Sequence, residues 1–154
     1  MTTPSHEIDV DKLHALLCQT LRHGGTHASN IRLYAPALMN LLCPESEHPD
    51  LAIQSRADAV ERHVRAALDR IGEPAGSALE IVLCLRAGTL GRKLDDRRRI
   101  AGRYLNIEGD TFRRRREKPL LLALAIEMCR IRDSYEDALS SLDYRSRCGG
   151  CRSG

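Results

Sequence analysis

The sequence predicts an all-α protein, a compact bundle of six to seven short helices. Three observations lead there. Aromatic residues make up only 3% of the 154 residues and tryptophan is absent, whereas Leu, Ala and Arg dominate, and strands draw on the aromatic and β-branched side chains that are scarce here. Apolar residues recur at three- and four-residue intervals, the spacing that lines one face of a helix. No segment alternates with the period of two that marks a strand. The length suits one domain, or one domain with a helical extension, and allows a sizeable core.

Taken in order, residues 1–8 are polar. A first helix starts near Asp9 or Asp11, carries Val10, Leu13, Leu17 and Leu21 on one stripe and ends at Gly24-Gly25. A second stretch, Asn30 to Leu42 after a Ser29 cap, contains Pro36, which must kink or split it, and Pro44 stops it. A third helix has Ser55 as its cap with Asp58 three residues on, and Ala57, Val60, Val64, Ala67, Leu68 and Ile71 form its stripe up to Gly72. After Glu73-Pro74, a fourth (Gly76 to Arg86) supplies Leu79, Val82, Leu83 and Leu85. Pro119 is placed to open a last helix with Leu120, Leu121, Leu124, Met128 and Ile131 on its apolar face. The expected organisation is an N-terminal helical region (1–74), a second helical unit (75–144) and a disordered tail (145–154), RSRCGGCRSG from Arg145 having no apolar content.

The stretch LDDRRRIAGRYLNIEGDTFRRRREKPL, Leu94 to Leu120, holds the chemistry. Gly102 stands where two helices would approach closely, and Leu105 and Ile107 are apolar anchors around a break. Asn106 fills the break itself, because Asn tolerates the left-handed backbone that ends a helix sharply. Phe112, the single Phe, is the expected core plug of the second helix. Asp110 and Thr111 can cap its first turn, and Asp110 also reaches Arg113 and Arg114 at favourable spacings. This pattern resembles the helix-turn-helix DNA-binding motif, whose second helix enters the major groove. The resemblance implies a three-helix unit in which Arg113 and Arg114 contact base edges or phosphates. Thr111 and Arg116 join them on the same helix, and Arg97, Arg98 and Arg99 grip backbone phosphates. Three departures stand beside the match. Glu108 occupies the usual Ser cap, Arg115 sits three residues past Phe112 where an aliphatic residue is usual, and Pro119 is expected to cut the basic helix after about two turns.

A longer run, from Cys84 to Ala125, is similar to a small helical module that recurs in actinobacterial proteins. The residues that carry it are Thr89, Gly91, Leu94, Arg97, Arg98, Leu105, Ile107, Thr111, Phe112, Arg113, Arg114, Glu117, Leu120 and Leu121. That resemblance makes the arginines and Glu117 part of a family pattern without assigning them a role.

Net charge is +3, unevenly spread: residues 86–118 hold twelve Arg or Lys against five Asp or Glu, leaving the rest of the chain at −4. The asymmetry suggests an acidic partner. Duplex DNA is the first candidate, for a regulatory DNA-binding protein. The alternative is a helical adaptor module of a multi-component bacterial system that docks an acidic protein or leaves its arginines solvated, and a second copy of the chain is a further candidate partner.

No apolar stretch approaches the ~20 residues of a membrane span and no leader pattern is present, so a cytoplasmic protein is expected. Cys18, Cys43, Cys84 and Cys129 fall within Leu-rich helical pattern, where a reduced thiol behaves as a small hydrophobe. Cys148 and Cys151 form one CxxC, half of a zinc site, so no metal and no cofactor is assigned. No phosphate loop, nucleophile elbow or His-Glu-x-x-His occurs, and the expectation is a protein that is not an enzyme.

Overall fold

A computed structural model describes residues 7–148, with side chains as far as Asp133. Among the described residues there are seven helices and no strand. They are α1 (Val10–Arg22), α2 (Ala28–Tyr34), α3 (Pro36–Leu42), α4 (Ile53–Ile71), α5 (Ala75–Val82), α6 (Leu94–Tyr104) and a final continuous run. That run comprises α7 (Gly109–Thr111), a π-helical turn (Phe112–Arg116) and α8 (Glu117–Cys148). No described helix is long and apolar enough to cross a membrane.

Helix ends follow local chemistry. Asp9 caps α1 by accepting from the Asp11 amide at 2.9 Å. Pro36 splits the second stretch: Ala35, pushed off helical geometry by the proline after it, separates α2 from α3, and Pro36 opens α3. His27, not Ser29, caps α2, its Nδ1 accepting from the Ser29 amide. The third predicted helix likewise starts at Ile53, ahead of Ser55, with no side-chain cap.

Two helices end in the same way. At the end of α6 the Asn106 amide donates to Arg103 O and the Ile107 amide to Gly102 O, with Asn106 at φ 56°. At the end of α5 the Cys84 amide donates to Ile81 O and the Leu85 amide to Glu80 O, with Cys84 at φ 60°. Both are Schellman motifs, in which one left-handed residue lets two amides satisfy the last free carbonyls. The second stops α5 at Val82, short of the expected Arg86, because the chain turns at Cys84.

One hydrophobic core runs through the described residues, from Leu13, Leu17 and Leu21 through Val60 and Val64 to Leu79, Val82, Leu83, Phe112, Leu121, Leu124 and Met128. Ile100, Leu105 and Ile107 pack against it half-buried. Helices α1 and α4 lie against α8, and α5 packs on α6. Two histidines fasten α8, each donating from Nε2 to a helical carbonyl: His14 to Lys118 O at 3.1 Å and His63 to Met128 O at 2.8 Å. Cys18, Cys43, Cys84 and Cys129 are free thiols in this interior, and burial pushes those of Cys18, Cys84 and Cys129 up.

Two consequences are measurable. Phe112 is wholly enclosed, so Phe112→Ala should cost about 3–5 kcal/mol in chemical denaturation. A variant as stable as the parent would refute the plug. Burial holds the His63 imidazole below its usual value, so the folded chain resists a proton that the unfolded chain accepts. That stability is present above about pH 6.5 and is lost as pH falls through the window below it. The melting temperature should therefore drop between pH 7.5 and 5.5, and drop less in His63→Gln; an equal drop in the variant would clear His63 of the effect.

Candidate nucleic-acid interface

The basic stretch folds as α6, a tight turn and the α7–π–α8 run. Gly102 is where they touch: a Cβ there would stand 2.6 Å from Ile107 O, so any side chain would force the turn away from α6. Gly109 is also tightly packed, a Cβ there standing 3.0 Å from the backbone of Arg99. Glu108 precedes α7 with no side-chain cap bond, and its carbonyl accepts from the Phe112 amide at 2.9 Å.

The π turn resets the helical phase of the residues after it. The Glu117 amide donates to Phe112 O, five residues back. In an α-helix, residues five apart point about 140° away from each other; here Phe112 and Glu117 are both buried, and Arg113, Arg114, Arg115 and Arg116 between them are all exposed. Pro119 does not cut the helix as expected. It has no N–H for the Arg115 carbonyl and its ring would press on that carbonyl in a regular helix, so the wide turn just ahead lets the helix continue through it. Arg115, at the position usual for a buried aliphatic residue, points outward because the inserted residue shifts the phase of the buried stripe.

Arg97, Arg98 and Arg99 have three different fates. Arg97 is 3% exposed, and its guanidinium donates to Val82 O and, at 3.3 Å, to Leu21 O, the carbonyl ends of α5 and α1. Burial lowers its pKa, the neighbouring Cys84 thiol counteracts this, and the group remains a cation. Arg98 makes a two-pronged pair with Glu117, Nε and Nη2 at 2.6 and 2.7 Å from its oxygens, and this pair holds the Arg98 pKa above its usual value. Arg99 is exposed and pairs with Asp96 at 2.5 Å. The expectation that all three grip phosphates is corrected for two of them: Arg97 is sealed in the core and Arg98 is spent on Glu117. The inward turn of Arg97 has no local signal, because an arginine run beside a basic helix reads as solvent-facing.

The second-helix candidates fare differently. Thr111 is half-buried. Arg113 and Arg114 both donate to Asp110, Arg113 to Oδ1 at 2.9 Å and Arg114 to Oδ2. Arg115 and Arg116 are exposed and make no ion pair among the described residues, and the same holds for Arg103 near the end of α6. A groove of about 700 Å3 lies between α6 and α7, with Arg98, Arg99, Arg103 and Arg113 facing Asp95, Glu108 and Asp110. Its charges nearly balance, and around it Arg92, Lys93, Arg103, Arg115, Arg116 and Lys118 are exposed cations that make no ion pair among the described residues.

Elsewhere, Glu61, Arg65, Glu80 and Arg86 form a chain of ion pairs across α4, α5 and the loop after α5, at 3.4, 3.9 and 3.6 Å. Arg86 also stacks over the Tyr104 ring, 5.1 Å from its centre. Glu80 and Glu127 are thus paired carboxylates, the latter with Arg130 at 2.7 Å. No group of three or more metal-binding side chains occurs among the described residues. Cys148 ends α8, past the expected boundary at Arg145, and Cys151 lies outside the described residues.

The three neighbouring arginines should respond unequally to truncation. Arg97→Ala leaves two buried carbonyls unsatisfied and should cost about 3–5 kcal/mol. Arg98→Ala strands the buried Glu117 carboxylate and should cost about 2–4 kcal/mol. Arg99→Ala should stay within about 0.5 kcal/mol. Equal losses in urea titrations would contradict these three environments.

Comparison with known proteins leaves this geometry to speak alone: no protein-family model, no curated protein and no solved structure matches the chain.

Proposed function

We propose that the chain binds duplex DNA through the arginine-rich π turn, with Arg115 and Arg116 as primary contacts, Arg113 and Arg114 beside them, and Arg99 and Arg103 flanking on α6. The observation that carries this reading is the outward direction of four consecutive arginines, which requires the π turn and leaves two of them without an acid among the described residues. A regular helix would turn at least one of the four toward the core. Phosphate is the ligand such a surface suits, because guanidinium groups meet its oxygens in two-pronged, charge-assisted bonds. The resemblance of the α6–turn–α7 pattern to the helix-turn-helix motif supports the same partner, and a regulatory role at the DNA would follow from it.

A second reading, an adaptor that docks an acidic protein segment, draws on one observation: Asp96 and Asp110 already pair with Arg99, Arg113 and Arg114. Those pairs support carboxylates as alternative ligands of the same guanidiniums.

Duplex binding across a salt series separates the two. Each phosphate contact adds close to one unit to the slope of log affinity against log salt. Wild-type protein should bind mixed-sequence duplex at about 0.1 M salt, where charges are felt over ~10 Å. The double variant Arg115→Gln, Arg116→Gln should bind more weakly, with a slope shallower by about two and an unchanged melting temperature. Wild-type protein that binds no duplex under those conditions would end the DNA reading in favour of the adaptor.

A further inference from the structure

Asp110 divides the arginines of the π turn into two classes. Both its oxygens are taken, Oδ1 by Arg113 at 2.9 Å and Oδ2 by Arg114, although its side chain is half exposed. The hydrogen bond from Arg114, then that from Arg113, holds the carboxyl below its usual range. Arg115 and Arg116, one and two residues further on, carry no such anion among the described residues. One carboxylate thus occupies two adjacent guanidiniums as a phosphate would, and leaves the next two open.

The chemistry of the competitor decides what can replace it. Base edges in the major groove offer neutral acceptors such as the guanine O6 and N7. A phosphate offers anionic oxygens, so its two-pronged bond to a guanidinium is ionic at both ends, as the bond to Asp110 is. Only the phosphate matches the carboxylate already in place. Resting on the duplex reading above, we infer that Asp110 is a built-in competitor for phosphate on Arg113 and Arg114, so that the surface grips the sugar-phosphate backbone without reading bases. Arg115 and Arg116 engage first, and Arg113 and Arg114 contribute only as Asp110 is displaced. The carboxylate also repels the phosphate directly, so removing its charge acts twice in the same direction.

The deciding variant is Asp110→Asn, which keeps the side-chain size, measured beside wild-type protein on mixed-sequence duplex across a salt series. It should bind roughly three- to tenfold tighter at about 0.1 M salt, with a slope steeper by one to two, as the freed arginines each take a phosphate. Asp110→Ser, which also removes the charge but with a shorter side chain, should show the same gain. Adding Arg113→Ala and Arg114→Ala to Asp110→Asn should erase the gain. If wild-type protein binds duplex and both Asp110 variants bind equally or more weakly, the inference is overturned and the duplex reading stands. If wild-type protein binds none, the duplex reading itself has failed.

Discussion

The guanidinium of Arg97 is the point on which this arrangement turns. It is a buried cation that makes no ion pair among the described residues, and it rests on the carbonyl ends of α1 and α5. Helix C-termini are the negative ends of their dipoles and leave several carbonyls without partners, so two such ends meeting at one guanidinium can offset its lost hydration. The surrounding chain is shaped to bring them together. The loop after α1 presses so tightly on the end of α5 that a Cβ at Gly25 would overlap the Leu83 carbonyl, which also accepts from the Thr26 amide at 2.9 Å. Arg56 does similar work at α3, donating to Cys43 O and Asn40 Oδ1.

Fixing Arg97 inward fixes the rest of α6. Successive residues of a helix point about 100° apart, so Arg98 turns toward α8, where Glu117 waits, and Arg99 turns to solvent. Glu117 is available there only because the π turn brings it to the same side as Phe112. The pair between Arg98 and Glu117 and the π turn therefore depend on each other. From Glu117 the buried positions continue as Leu121, Leu124, Ala125 and Met128 in ordinary helical spacing. The irregularity is confined to the five residues that need it.

Much of this was legible in the residues. The stripes of α1 and α4, the break at Pro36, the enclosed Phe112, the tight approach at Gly102 and the left-handed Asn106 all arise from periodicity or steric rules that act within a few residues. The features that were not legible depend on partners far along the chain. Cys84 carries no propensity for left-handed backbone, so the early end of α5 had no local signal. Arg97 reads as surface unless the carbonyls of Leu21 and Val82 are known to converge on it. The continuation through Pro119 runs against the usual rule, since proline normally ends a helix and only the wide turn ahead of it removes the clash. One hint did exist: Phe112 and Glu117 cannot share a face in a regular helix, and the apolar stripe from Leu121 onward is one residue out of phase with Phe112.

The same phase shift sets the electrostatics of the exposed turn. Four arginines in sequence repel one another, and a regular helix would relieve this by pointing one toward the interior, at the cost of burying a charge. The π turn closes that route by committing the inward positions to Phe112 and Glu117, so relief must come from an acid on the surface. Asp110 provides it for Arg113 and Arg114, at the three- and four-residue spacings where helix side chains meet. Any anionic ligand of this surface must then be exchanged against an internal anion for half of its contacts. Affinity would track the difference between two similar ion pairs there, and the full attraction at Arg115 and Arg116 on the turn and at Arg103 beside it. The twelve Arg and Lys of residues 86–118 thus overstate the contacts open to a partner, because the acids that fold the motif already occupy several of the cations that would bind.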